Sequence, residues 1–279
     1  MTGTTSASGK TVIVTGAGGV LGRGITLAFL RAGASVVISD IDLDRAKETE
    51  AVARAEGHRS TLALAGDVTV ESDVQALVDQ AAGHFGKLDV MVNNAGSSGA
   101  IGPLLDTTAE EFDYTIVLLL RSVFFGIKHA GRRFRAQGSG GVILSTASAS
   151  AYLPGISPSL YAVCKSAVVK LTQHAARELS GEGIRVNSLS PAMVWGAGFA
   201  ALGLTGDSLA AEQLVATPIT AEDVGHTAVW LASDNCRQAT GTDFLLDGGL
   251  LAKGSDFNER VLLPGIAHAM ANAGKAGAS

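Results

Sequence analysis

An α/β fold built on a single doubly wound parallel sheet is what this 279-residue sequence predicts, and three observations carry the prediction. Short apolar runs of strand length alternate with helix-periodic segments along the whole chain, the pattern of a parallel sheet with helices on both faces. The first run, residues 10–15, passes directly into the glycine-rich turn Gly16-Ala17-Gly18-Gly19 and then into a helix. The second run ends in Asp40, eighteen residues beyond Gly22. Sheets of this kind bind ligands in the crevice outside the carboxyl ends of their strands, where the strand order reverses. A single domain spanning 1–279 is long but ordinary. We expect its core at about 9–249, an insertion at 195–218 and an extension at 250–279.

Composition excludes several classes. The chain is 47% hydrophobic, yet its longest purely aliphatic run, residues 116–120, is far too short to cross a bilayer, so no membrane partner is expected. Residues 1–10 are polar and small, without the apolar segment of a signal peptide, and a cytoplasmic location is expected. Cys164 and Cys236 have no metal-ligand spacing and read as small apolar residues of a reducing compartment. The six histidines form no H-x-x-x-H or H-E-x-x-H pair, so no metal site is expected. A net charge of −5 disfavours nucleic acid. The basic cluster Arg132-Arg133-Arg135 falls where a helix should end, and there it suits the helix dipole.

Each element follows in order. After the first strand, Ile25, Ala28 and Phe29 recur at helical spacing over residues 22–32. A glycine turn before a helix lets a pyrophosphate approach unhindered backbone N–H groups, although a simple tight turn uses the same residues. Residues 34–39 form the second strand. A carboxylate at its end, Asp40, can accept hydrogen bonds from adenosine ribose hydroxyls and repel a 2′-phosphate, which favours NAD over NADP. Neither Gly19 nor Ile41 supplies a cation against that reading. The alternative is that Asp40, Asp42 or Asp44 only caps the helix at 44–57.

Residues 61–65 are the third strand, ending at Asp67-Val68 before a helix at 71–85 that Asp67 could cap. Residues 88–92 are the fourth strand, followed by Asn93-Asn94-Ala95-Gly96, where small residues admit a cofactor and the amides can tie adjacent strands together. A long helix is expected at 108–135, opened by the capping-box pattern Thr107-Thr108-Ala109-Glu110-Glu111. The apolar Val142-Ile143-Leu144 then runs into Ser145-Thr146-Ala147-Ser148, as a strand opening onto a crevice would. Residues 184–191 and 241–247 read as two further strands, and 220–233 as an amphipathic helix capped by Thr220.

Tyr161 and Lys165 lie one turn apart on the helix that runs to Leu179, so both side chains share one face. A free tyrosine titrates near pH ~10, and an ammonium a few ångströms away stabilises the phenolate, making a proton-transfer pair. Ser148 adds a hydroxyl able to hold a carbonyl or alcohol oxygen. By itself the pair also fits a half-buried tyrosine beside a snorkelling lysine.

Taken together and in order, the Thr15–Gly22 turn, Asn93-Asn94-Ala95-Gly96, Ser148 and Tyr161-x-x-x-Lys165 resemble the short-chain dehydrogenase/reductase family over about residues 9–249. The resemblance implies a Rossmann-type fold and an NAD-dependent oxidoreductase that interconverts a secondary alcohol and a ketone. It casts Tyr161 as general acid/base and Ser148 as the group that orients the substrate oxygen. Lys165 would lower the tyrosine pKa and hold the nicotinamide ribose. The cofactor set carried over is Gly16, Gly19, Val20, Leu21, Gly22, Asp40, Asn94, Ala95, Gly96, Tyr161, Lys165, Pro191 and Val194, with Asp67 and Val68 at the adenine. A homodimer or homotetramer is implied, the helices at 108–135 and 162–179 pairing with their copies about a two-fold axis.

Four departures stand out: Val20 for a glycine, Leu119 for an asparagine that bends the long helix and relays protons, Ala192 for a glycine, and Gly196 for a threonine. Leucine is expected to do neither of the asparagine's jobs. The insertion at 195–218 lies where the family carries a mobile lid, and Trp195, Phe199, Leu202 and Leu204 point to a largely apolar or alicyclic substrate. Each of these four could equally pack in the core or at a subunit contact. Residues 250–279 extend past the family's usual end; they are expected to be partly disordered, with Val261-Leu262-Leu263 able to dock. A non-catalytic nucleotide-sensing protein is the alternative, favoured by Val20, Leu119 and Gly196 and opposed by the intact Ser148, Tyr161 and Lys165.

Overall fold

The computed structural model describes residues 6–254. Seven strands, β1 (Thr11–Thr15), β2 (Ser35–Asp40), β3 (Thr61–Ala65), β4 (Val90–Asn93), β5 (Gly141–Thr146), β6 (Ile184–Pro191) and β7 (Asp243–Leu246), form one sheet of order β3-β2-β1-β4-β5-β6-β7. Every pairing is parallel, and the order reverses at the β1/β4 pair, where Val12 faces Val36 on one side and Val90 on the other. Strands covered on both faces need continuous apolar runs rather than alternation. Val12, Ile13 and Val14 of β1 are all fully buried.

The connecting helices are α1 (Val20–Arg31), α2 (Leu43–Ala55), α3 (Glu71–Phe85), α4 (Ala109–Ile116), α5 (Ser122–Gln137), α6 (Ser159–Leu179), α7 (Ala197–Ala201), α8 (Gly206–Ala210), α9 (Ala221–Ala232) and α10 (Leu250–Lys253). One core layer packs Ile25 and Phe29 of α1, Ala46 of α2 and Val224 of α9 against Val12 and Val14. The opposite layer packs Val78 of α3, Phe134 of α5 and Val168 of α6 against Ile13 and Ile143. The alternating residues of a strand thus feed two cores.

Several expected boundaries shift by a residue or two, and one expectation is corrected. The helix expected at 108–135 opens on the predicted Thr108–Glu111 capping box, but it is not regular. A π-helical turn, Val117–Arg121, separates α4 from α5 and contains Leu119. The helix is therefore interrupted here without an asparagine. The hydroxyl of Thr115 donates to the Glu111 carbonyl and that of Ser122 to the Leu118 carbonyl. Such bonds to the carbonyl four residues back disturb the helical ladder and bend helices.

The segment 195–218 holds α7 and α8, and its two ends are pinned together. Val194 bridges Ile219, and the Trp195 N–H donates to the Ile219 carbonyl at 2.8 Å. Its second half is tied down where the N–H groups of Leu214 and Val215 both donate to the Gly248 carbonyl. The expectations for Val261-Leu262-Leu263, for disorder toward the C-terminus and for the first five residues fall outside the described residues. Among those described, no helix is long and apolar enough to cross a membrane, and no group of three His, Cys, Asp or Glu side chains could hold a metal ion. Cys164 and Cys236 are free and buried.

Candidate functional site

A cleft of about 780 Å³ opens at the carboxyl ends of the strands, across the point where the strand order reverses. Its volume is that of a cofactor-sized site. At one side α1 begins without a side-chain cap. Among the described residues the N–H groups of Val20, Leu21 and Gly22 have no acceptor. Three unpaired donors at the positive end of a helix dipole are chemically suited to an anion such as phosphate. Two glycines are required here. Gly16 has φ +64°, and a Cβ on it would stand 2.7 Å from Ala95 Cα; a Cβ on Gly22 would stand 2.2 Å from the Gly16 carbonyl oxygen. Val20 does not obstruct these donors, because its side chain lies against Gly196.

At the β2 end of the cleft, Asp40 is buried, and its carboxylate accepts from the Gly18 N–H at 2.9 Å and the Asp42 N–H at 3.2 Å. Helix capping falls instead to Asp42, which accepts from the Asp44 N–H. Asp40 thus braces the glycine turn while lining the cleft. Sequence reasoning missed Arg45, which also lines it. Its guanidinium reaches 3.9 Å from where a Cβ on Gly19 would be. Looking for a cation only at 19 and 41 overlooked that one turn of α2 returns residue 45 to the same place. Asp67 does not cap α3; it accepts from the Thr69 N–H and hydroxyl, forming a turn, and with Val68 it lines the cleft.

The middle of the cleft is held by asparagines. Asn94 donates to the Thr15 carbonyl at 2.9 Å and accepts from the Thr146 hydroxyl at 3.2 Å, while Asn93 donates to Ser145. These bonds tie β4 to β1 and β5. The Thr15 hydroxyl accepts from the N–H groups of Asn94 and Ala95, which lays Ala95 and Gly96 along the strand end. Leu119 is 1% exposed and packs so close to Gly96 that a Cβ there would meet its methyl at 3.0 Å.

At the far end the expected trio meets. Ser148, buried just past β5, accepts from the Ser150 N–H and donates to the Ser150 hydroxyl, both at 3.1 Å. Tyr161 and Lys165 rise from the first turns of α6, with the Lys165 ammonium 5.4 Å from the phenol ring centre. Lys165 is 4% exposed, and its ammonium donates to the Thr146 carbonyl at 2.6 Å. Burial lowers its pKa to about 8. Burial also pushes the Tyr161 phenol above its ordinary value, against a weaker opposite pull from the Ser148 hydroxyl. The ammonium is directed at that main-chain carbonyl, and loss of water around the phenol is the larger influence on Tyr161.

Beyond β6 the cleft is lined by Ala192 and Met193, whereas Pro191 ends the strand and Val194 bridges Ile219, both outside the lining. Phe199 and Leu202 face the cleft from the insertion; Trp195 and Leu204 do not. Tyr114, Leu118 and Ile156 complete an apolar wall, and Ser150 adds a second hydroxyl that sequence reasoning did not single out.

Comparison with known proteins agrees with this architecture. A family described as enoyl-(acyl carrier protein) reductase matches residues 16–251. Momilactone A synthase of Oryza sativa subsp. japonica is 38% identical over 260 residues, covering 89% of this chain and 92% of that protein. The mitochondrial borneol dehydrogenase of Lavandula x intermedia is 38% identical over 247 residues, covering 87% and 90%. The structure of a 7α-hydroxysteroid dehydrogenase complexed with NADH and 7-oxo glycochenodeoxycholic acid superimposes with a TM-score of 0.81 at 30% identity, covering 88% of this chain and 96% of that one.

Proposed function

The chain belongs to the short-chain dehydrogenase/reductase family, and from that membership we propose that it is an NAD-dependent oxidoreductase interconverting a secondary alcohol and a ketone on a largely apolar or alicyclic small molecule. The observation that carries the proposal is the meeting of Ser148, Tyr161 and Lys165 at the apolar end of a dinucleotide-sized cleft. Relatives named for borneol and for a hydroxysteroid support a hydroxyl or oxo group on a carbon framework as the reacting group. The family description names an enoyl reductase. A hydroxyl and a phenol converging on one point favour chemistry at a C–O bond instead.

The cleft's residues fit the cofactor: the unpaired N–H groups of Val20, Leu21 and Gly22 would take the pyrophosphate, Asp40 the adenosine ribose, and Lys165 the nicotinamide ribose. When bound, NAD would supply the hydride acceptor. Ser148 would hold the substrate oxygen by its hydroxyl, which must turn away from Ser150 to do so. Tyr161 would exchange a proton with that oxygen. Its raised pKa keeps the phenol protonated, ready to donate in the direction of ketone reduction. Leu119 offers no hydrogen bond, so the proton route past Lys165 would pass the Thr146 carbonyl. The segment 195–218 would act as a lid whose Phe199 and Leu202 cover the substrate.

The test is a cofactor-absorbance assay against a panel of alicyclic secondary alcohols and ketones. Turnover with NAD is expected. NADH binding without turnover of any substrate would favour the nucleotide-sensing alternative.

Cofactor choice gives a sharper expectation. Asp40 should make NADP the poorer cofactor by charge repulsion, with Arg45 moderating the difference. Asp40→Ala should narrow the ratio of the two kcat/KM values and also weaken NAD binding, since the Gly18 N–H loses its acceptor. Equal kcat/KM for NAD and NADP in the wild type would refute the assignment.

Self-association is supported by Phe112 on α4, Phe124 on α5 and Val163 on α6, all about half exposed. Light scattering at micromolar concentration should give a dimer or tetramer; a monomeric mass would exclude both.

A further inference from the structure

Val20, which lines the cleft, meets Gly196, although one opens α1 and the other precedes α7. Gly196 has φ 177° and ψ −177°, extended backbone that any residue can adopt. The backbone therefore does not require glycine there. A neighbour crowds the position instead: a Cβ on Gly196 would stand 3.0 Å from Val20 Cγ1, 3.4 Å from Cγ2 and 3.5 Å from Cβ, and its three nearest atoms all belong to Val20.

We infer that Val20 and Gly196 act as one positioning unit, in which the valine side chain fills the place of a residue-196 side chain and sets how closely α7 lies over the cleft. The inference rests on the dehydrogenase reading above and deepens it. Val20 is about half exposed, so what holds its side chain is its own rotamer preference. Its backbone is fixed at the start of α1, and a β-branched side chain in a helix holds one preferred χ1. Turning it would move a methyl group within the lining that Val20 shares with the phosphate seat. The Gly196 carbonyl in turn accepts from the N–H groups of Phe199 and Ala200, so lifting Gly196 lifts the start of α7 with it. Phe199, three residues on, faces the cleft. A change at either partner should reach both ligands, the cofactor through the seat and the substrate through Phe199 and Leu202.

The experiment is a double-mutant cycle on the full chain with Val20→Ala, Gly196→Ala and the pair, reading NADH affinity by fluorescence, KM and kcat for a turned-over alcohol, and melting temperature. Gly196→Ala should weaken NADH binding and raise KM by about tenfold, the size of coupling seen between contacting residues. Val20→Ala should raise KM by a few-fold, because α7 loses its support. Combined, the two should return to within about threefold of wild type, since the remaining Cβ–Cβ approach of 3.5 Å is an ordinary contact. Effects that simply add, with the double variant worse than either single one, would overturn the inference. If Gly196→Ala does not fold, Val20→Ala is compared with the double variant: a difference within about threefold supports the unit, and a loss of about tenfold in the double variant refutes it. Failure of the wild type to bind NADH refutes the functional reading, whereas binding with additive variants refutes this inference alone.

Discussion

Tyr161→Phe is expected to lower turnover by about 10²–10⁴ while NADH affinity stays within a few-fold, because the substitution deletes the transferable proton and keeps the ring. The phenol stands in the cleft beside Ser148, and burial holds its pKa above the ordinary tyrosine value. Loss of one hydroxyl from this half-buried site leaves the packing of α6 intact. The split between kcat and cofactor affinity is what separates a proton-transfer role from a merely structural one. A second reading comes from pH. With the phenol's pKa raised, the protonated form that ketone reduction uses extends to higher pH and the deprotonated form that alcohol oxidation uses appears only above it, so the oxidation optimum should lie at higher pH than the reduction optimum. Near-normal turnover by the phenylalanine variant would remove Tyr161 from the mechanism and return the protein to the nucleotide-binding alternative.

What the sequence could and could not reveal divides along physical lines. The strands and the glycine turn were legible because each is a local pattern: an apolar run buried on both faces, or a backbone that must approach a phosphate. Helical spacing made it legible that Tyr161 and Lys165 share a face, whereas their meeting with Ser148 was expected from the resemblance to the family. The π turn at Val117–Arg121 was not, since side-chain bonds from Thr115 and Ser122 to the main chain leave the hydrophobic period unchanged. Nor could the Thr146 carbonyl be foreseen as the partner of Lys165, for a main-chain acceptor has no letter in the sequence. After β6 the lining is carried by Ala192 and Met193, two residues that the sequence reading did not place among the cofactor contacts. The raised pKa of Tyr161 follows from burial, a property of the assembled fold.

Lys165→Met should abolish most turnover, and it carries a second signature in stability that a surface lysine could not give. Lys165 is 4% exposed, and burial lowers its pKa from 10.5 to about 8. A folded-state pKa below the unfolded one means that the cost of burying the ammonium is fully present below pH ~8 and fades as pH rises toward ~10.5, where both states are neutral. A shift of this size corresponds to about 3 kcal/mol, good to roughly one pKa unit. The unfolded chain binds more protons across this window, so wild-type stability should rise with pH relative to the methionine variant. Between pH 7 and 9 the expected gain is about 1 kcal/mol in the difference between the two proteins. Tyr161 and Cys164, whose pKa values burial raises, act in the opposite sense at higher pH. They are present in both proteins and largely cancel in the comparison. Denaturant midpoints for the two proteins at pH 7, 8 and 9, without nucleotide, make the measurement. Parallel curves would show that Lys165 does not titrate in this range, and the ammonium would then have to be held charged at Thr146 by more than the one hydrogen bond seen here. Diverging curves combined with lost turnover would identify a residue that costs the fold stability because the cleft requires its charge, the trade-off expected where a site is built for function.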